Sequence, residues 1–331
     1  MAFGLLSVVG CAADQGDSPI DSLTYPLEIP AGFPQMPIPA DNYLTVDRVA
    51  LGKKLFFDPI LSRDGSVSCG SCHLQEHAFA DTAVFSRGIE GRTGFRNAPT
   101  LFNLAWHPYF FMDGGVPTLE LQVLAPLDNH AELDMDLLEL MARLQQHPQY
   151  PSLFRKAYGR EPDPFGLTRA IAAYERTLVS GNSPYDQYAS NPNTLNDSQI
   201  RGMELFFGDQ LHCASCHSGF DFTDYGFYNI GLPVTTADSG RMRVTLNELD
   251  RGAYKTPSLR NVAVSAPYMH DGSLKSLEAV IDFLASGGAH YPNQHPLTEG
   301  FTISNQEKAD LIAFLNSLTD TDFLTDPELS K

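Results

Sequence analysis

Two short stretches bring thiols and an imidazole together at fixed spacing: Cys69-Gly70-Ser71-Cys72-His73 and Cys213-Ala214-Ser215-Cys216-His217. Cys-x-x-Cys-His is the attachment pattern of c-type haem, in which each thiol adds to a vinyl group and the adjacent histidine becomes the proximal iron ligand. A zinc site would need a closed tetrahedral ligand set, and a thioredoxin-like disulfide would need a surrounding βαβ pattern that the sequence lacks. The expectation is two covalently bound haem c groups, ligated by His73 and His217. Each histidine takes one face of its iron, so function turns on the other face: open to bind peroxide or oxygen, or closed by a side chain for electron transfer.

The elements that must hold these motifs repeat as well. "LGKKLFFDPILSRDGSVSCGSCH" at 51–73 and "RGMELFFGDQLHCASCH" at 201–217 share a glycine, two variable residues and Leu-Phe-Phe before the cysteines. Each copy predicts a helix with an apolar face, followed by a loop into the haem motif. Further helices are expected over "DMDLLELMARLQQHPQYPSLFRKAYG", "LTRAIAAYERTLVSG" and "SNQEKADLIAFLNSLTD", the last with Leu311, Phe314, Leu315 and Leu318 on one face and Ser304 as N-cap. Strand patterns are few. The predicted fold is mostly α, two cytochrome c-like haem domains with long loops and little β: an N-terminal haem domain at 28–192 and a C-terminal haem domain at 193–331. The Asn/Pro/Ser-rich stretch from Ser180 to Gln199 lies at their junction.

The 331 residues carry 22 basic and 40 acidic side chains, a formal charge of −18. That balance argues against nucleic acid as partner and fits a basic protein or a neutral small molecule. No apolar run approaches the roughly 20 residues needed to cross a bilayer. Residues 1–27 read as leader and linker: "LLSVVGC" ends a short apolar run at Cys11, similar to a bacterial lipobox, which predicts export and a lipid anchor at that cysteine. Covalent haem predicts the periplasm or cell envelope as the compartment.

From about residue 40 to 320 the chain resembles the bacterial dihaem cytochrome c peroxidases and their MauG-type relatives. The resemblance rests on the two haem motifs and four ordered blocks: "LGKKLFFDPILS", "FRNAPTLFN", "DGGVPTLELQVLAPLDNHAEL" and "YKTPSLRNVAVSAPYMHDGSLKSLEAV". It implies that Cys69, Cys72 and His73 hold a peroxidatic haem, and that Cys213, Cys216 and His217 hold an electron-relay haem. It places Gln122 and Glu132 on the distal side of the first haem, with Glu132 as the acid–base group for peroxide. It also implies one Ca²⁺ between the haems, bound by the amide oxygen of Asn97 and by backbone carbonyls near Pro257.

Three departures qualify the resemblance. Met112 stands where the family often has a tryptophan between the haems, which leaves Trp106, Tyr109, Phe110 or Phe111 as substitutes. Leu284 falls where the family supplies the sixth ligand of the relay haem, so Met269, His270 or His290 would serve, or the iron stays five-coordinate. Residues 78–106 contain no histidine, and His77 is only four residues from His73, so the first haem is expected to be open. The resemblance implies a peroxidase that reduces H₂O₂ with electrons from a small redox protein, a cytochrome c or cupredoxin, and a homodimer is compatible with it. The alternatives are a MauG-type enzyme that oxidises side chains of a protein substrate, and a dihaem electron carrier without peroxide chemistry.

Overall fold

The computed structural model describes residues 23–234 and 238–331, so the lipobox-like Cys11 lies outside the described residues. Helix α1 (Val46–Phe57) starts at Thr45, whose Oγ1 accepts the Arg48 N–H, and it carries Asp47 in its first turn and Lys54 in its last. These placements satisfy an otherwise unpaired amide and oppose the helix dipole at both ends. It packs against α6 (Pro164–Thr177), which begins with Asp163 as N-cap and Pro164 in the first turn. The contact is so close that a Cβ on Gly52 would lie 1.8 Å from the Ala170 carbonyl oxygen.

The second half repeats this pair. Helix α8 (Asp197–Phe207) and the later α11 (Asn305–Asn316) pack together, and a Cβ on Gly202 would meet the Asp310 carbonyl oxygen at 1.9 Å. Thus the shared glycine in "G-x-x-L-F-F" is where two helix backbones touch. Phe56 and Phe206, both fully buried, then contact Tyr174 and Phe314 with ring centroids 5.1 and 5.2 Å apart. Ser304 caps α11 as expected, in a reciprocal pair with Glu307.

Between α1 and α6 lie α2 (Leu119–Gln122), α3 (Leu124–Asp128), α4 (Leu137–Gln146) and α5 (Tyr150–Tyr158). The single helix expected over 134–159 is therefore two. Pro148 lacks an N–H and disfavours helical backbone at His147, which ends α4, and α5 restarts at Tyr150. The Asn/Pro/Ser-rich junction contains α7 (Pro184–Tyr188), pinned where Arg260 forks onto both Asp186 oxygens at 2.8 and 2.9 Å.

Beyond α8 come β1 (Phe227–Tyr228), α9 (Met242–Thr245), β2 (Tyr254–Lys255), antiparallel to β1, and α10 (Leu277–Ser286). The mostly helical fold with little β thus holds. Two apolar cores form, one in each half. The last helix, α12 (Thr321–Thr325), does not stay with its own half. Phe323 packs against Phe79 and Phe102 of the first core, Gln75 donates to the Phe323 and Asp326 carbonyls, and Tyr174 donates to Leu329 O at 2.6 Å.

The halves meet through buried asparagines in equivalent places. Asn103 and Asn261 both adopt left-handed backbone, at φ 54° and 56°, and donate their N–H to Leu178 O and Leu318 O. Their side chains converge on Ser180: Asn103 Nδ2 donates to its carbonyl at 3.0 Å and Asn261 Nδ2 to its hydroxyl at 2.9 Å. No helix among the described residues is long and apolar enough to cross a membrane.

Candidate functional site

Each haem motif forms one short 3₁₀ turn, Cys69–Ser71 and Cys213–Ser215, which leaves the second cysteine and the histidine just past the turn. None of the four thiols is in a disulfide, so all are free to form thioethers. The histidines are set alike. His73 Nδ1 lies 2.6 Å from Phe79 O, and His217 Nδ1 lies 3.1 Å from Phe222 O. With its proton on Nδ1, each imidazole keeps Nε2 as a lone-pair donor, which is the arrangement an axial ligand requires. Burial holds both rings below the usual histidine pKa, hence neutral. The carbonyls of Pro99 and Pro257 also face these rings. These residues fit haem c.

Glu132 sits beside the first motif, close enough to act electrostatically on both the Cys69 and Cys72 thiols. It is held by its own loop: Asn129 Nδ2 donates to Glu132 Oε1 at 2.7 Å, and the Glu132 N–H donates to Asn129 O at 2.9 Å. From the other side the Ile89 N–H donates to Glu132 O at 2.9 Å, and Gly88 approaches so closely that a Cβ there would lie 2.5 Å from that oxygen. The carboxylate is solvent-accessible, yet desolvation raises its pKa despite the Asn129 hydrogen bond. Gln122 ends α2 with a half-buried side chain, one residue before α3 leads into the Glu132 loop.

The remaining sequence candidates scatter. Asn97 is buried and its Nδ2 donates to Ala83 O and Val84 O at 3.0 and 3.2 Å, which fixes the amide orientation and turns Oδ1 away from those carbonyls. His270 is buried and stacked on Tyr254 at 3.9 Å, Met269 is half-buried with φ 74°, and His290 is exposed. His77 Nδ1 lies 2.9 Å from Val264 O, so this imidazole ties the two halves together. Trp106 packs edge-on to Phe220, three residues past His217, at 5.6 Å.

Sequence reasoning missed a buried polar group between the halves. Asp113, in the Asp-Gly-Gly turn, is fully buried and accepts from Arg96 at 2.9 Å and Arg243 at 2.7 Å, while its carbonyl accepts from Arg241. It also missed His107, whose Nδ1 lies 3.2 Å from Lys255 Nζ and whose Nε2 lies 3.5 Å from Asp221 Oδ2. Pairing "P-T-L-F-N" at 99–103 with "P-S-L-R-N" at 257–261 would have pointed to this seam, because the two copies enter it from opposite halves.

A profile of the di-haem cytochrome c peroxidase family matches residues 46–194. The chain is 41% identical over 295 residues to the methylamine utilization protein MauG of Methylorubrum extorquens, covering 86% of this chain and 81% of that one. It is 33% identical over 295 residues to cytochrome c551 peroxidase of Nitrosomonas europaea, covering 87% and 85%. Among solved structures, a MauG-like protein associated with microbial copper homeostasis superposes with a TM-score of 0.86 at 32% identity, covering 92% of this chain and 98% of that one. With the paired haem motifs, the repeated helix pair and these similarities over more than four-fifths of each chain, the chain belongs to the di-haem cytochrome c peroxidase family.

Proposed function

We propose that the chain reduces hydrogen peroxide at the first haem motif, with electrons from a small redox protein such as a cytochrome c or cupredoxin relayed through the second. The observation that carries this reading is Glu132: an accessible carboxylate beside Cys69 and Cys72, held by Asn129, with its pKa raised by desolvation. Haem iron, when bound at His73, supplies the electrophilic and redox chemistry. The chain's own groups do the rest. Glu132 takes a peroxide proton at Oε2, the oxygen that Asn129 leaves free, and returns it to the departing oxygen as water forms. The Gln122 amide orients the peroxide. The absence of histidine between 78 and 106 supports an open first site, since His77 is engaged with Val264.

A second reading, oxidation of a protein substrate's side chains, draws on the 41% identity to MauG, which supports it no better than the similarity to cytochrome c peroxidases supports the first. Export to the periplasm, a lipid anchor at Cys11, a homodimer, a calcium ion at Asn97 with carbonyls adjoining Pro257, and Met269 as sixth ligand of the second iron are further parts of the proposal. Stopped-flow absorption with H₂O₂, on the protein as isolated and half-reduced, tests it. Rapid reaction lost in Glu132→Gln, with fast decay in reduced cytochrome c, is the expected result. A long-lived oxidised state selects the second reading, and no reaction in either redox state leaves an electron carrier.

A further inference from the structure

Tyr225 belongs to the segment that follows the second haem motif, three residues past Phe222, whose carbonyl orients His217. Its hydroxyl donates to Asp221 Oδ2 at 3.0 Å, and its ring lies 4.9 Å from that of His107, which comes from the first half. Asp221 is almost fully buried and its other oxygen is already used, accepting from Asn103 Nδ2 at 2.8 Å and Ser258 Oγ at 3.3 Å. On the far side of the His107 ring, Lys255 Nζ donates to Nδ1, which puts the ring proton on Nε2. That N–H finds no ordinary hydrogen-bond partner and faces Asp221 Oδ2 from 3.5 Å. Lys255 is itself fixed by donating to Tyr109 O at 3.0 Å. A continuous row, Lys255–His107–Asp221–Tyr225, therefore crosses the seam between the halves, with a phenol and its carboxylate acceptor at one end.

We infer that Tyr225 is a redox-active side chain that carries an electron between the two haem sites, giving its phenolic proton to Asp221 Oδ2 as it is oxidised. An oxidised phenol is a strong acid, so oxidation is favourable only where a base stands ready to take the proton; Asp221, which accepts the Tyr225 hydrogen bond, is such a base, and His107 and Lys255 lie beside it. The step balances: Tyr225 loses one electron to the peroxide-oxidised first site and one proton to Asp221, and regains both when an electron arrives from the second site. Two such transfers, with two protons from solvent, convert one H₂O₂ to two waters. This inference rests on the peroxidase reading for its oxidant.

The test is freeze-quench EPR of the full dihaem protein mixed with H₂O₂, as wild type, as Tyr225→Phe, and labelled with ring-deuterated tyrosine or tryptophan. An organic radical signal that narrows on tyrosine deuteration and vanishes in Tyr225→Phe is expected. The initial peroxide reaction should keep its rate in the variant, while electron transfer between the sites slows about tenfold or more. A signal that persists in Tyr225→Phe, responds only to tryptophan deuteration, or is absent from the wild type overturns the inference. If peroxide fails to react in either protein, the peroxidase reading has failed instead. Flash oxidation by a photogenerated ruthenium(III) polypyridyl complex then decides for Tyr225: faster tyrosyl formation in the wild type supports it, and equal formation in Tyr225→Phe overturns it.

Discussion

The two halves share a scaffold and differ in what it presents. Counted from Asp113 and Asp271, which open equivalent Asp-Gly turns, Gln122 falls opposite Val280 and Glu132 opposite His290. The turns match closely: Phe110 bridges Val116 as Tyr268 bridges Leu274, and Gly114 and Gly272 both take left-handed backbone, at φ 68° and 62°. Beyond them the halves diverge. In the second, α10 runs unbroken from its Ser276 cap to Gly287 and carries Val280, Ile281, Phe283 and Leu284. In the first, the same stretch is split into α2 and α3 and ends at Asn129, which folds the following loop back to hold Glu132. A helix interrupted at Val123 and a polar loop that holds Glu132 stand where the second half presents an unbroken apolar helix, while the helix pairs and the carbonyl contacts to the two histidines stay the same.

Exchanging the distinguishing residues should separate the halves most sharply. Glu132→Gln is expected to lower kcat/KM for peroxide by about 10²–10⁴, while His290→Gln at the counterpart position leaves it unchanged. Steady-state assays on both variants decide this, and equal losses would refute the division of labour. The next effect is structural: Phe323→Ala should destabilise the first core by about 3–5 kcal/mol, seen as earlier loss of the first haem's spectrum in denaturant, with the second haem's transition unmoved. Gly52→Ala and Gly202→Ala each force a Cβ against a carbonyl and should cost about 1–3 kcal/mol, in similar amounts if the helix pairs are equivalent. Asn129→Ala gives the smallest change. The Asn129 amide favours the ionised Glu132, so its removal raises that pKa further and moves the acid limb of the kcat/KM profile to higher pH. An unshifted limb would show that Asn129 does not tune Glu132.

Much of this was legible in the sequence. The haem motifs, the glycine-anchored helix repeat and the Ser304 cap depend on local spacing, which a single chain displays. The α4–α5 break was legible too, in Pro148, but the apolar pattern runs straight through it. The bracing of the Glu132 loop was not, because its backbone is held by Gly88 and Ile89, more than forty residues away. The seam is illegible for the same reason: Asp221, His107 and Lys255 read separately as surface charges, and only the packing of one repeat on the other buries them. The equivalence of Asn103 and Asn261 lay in plain view, yet a lone asparagine gives no sign that its backbone must be left-handed.

The return of α12 to the first core has a consequence for how the molecule is made. A chain emerging from its N-terminus cannot complete the surroundings of Phe79 and Tyr174 until Phe323 and Leu329 arrive, about 250 and 155 residues later. The first motif to emerge is thus the last to be enclosed. Helix α12 is the latch that closes the core around Phe79, whose carbonyl orients His73.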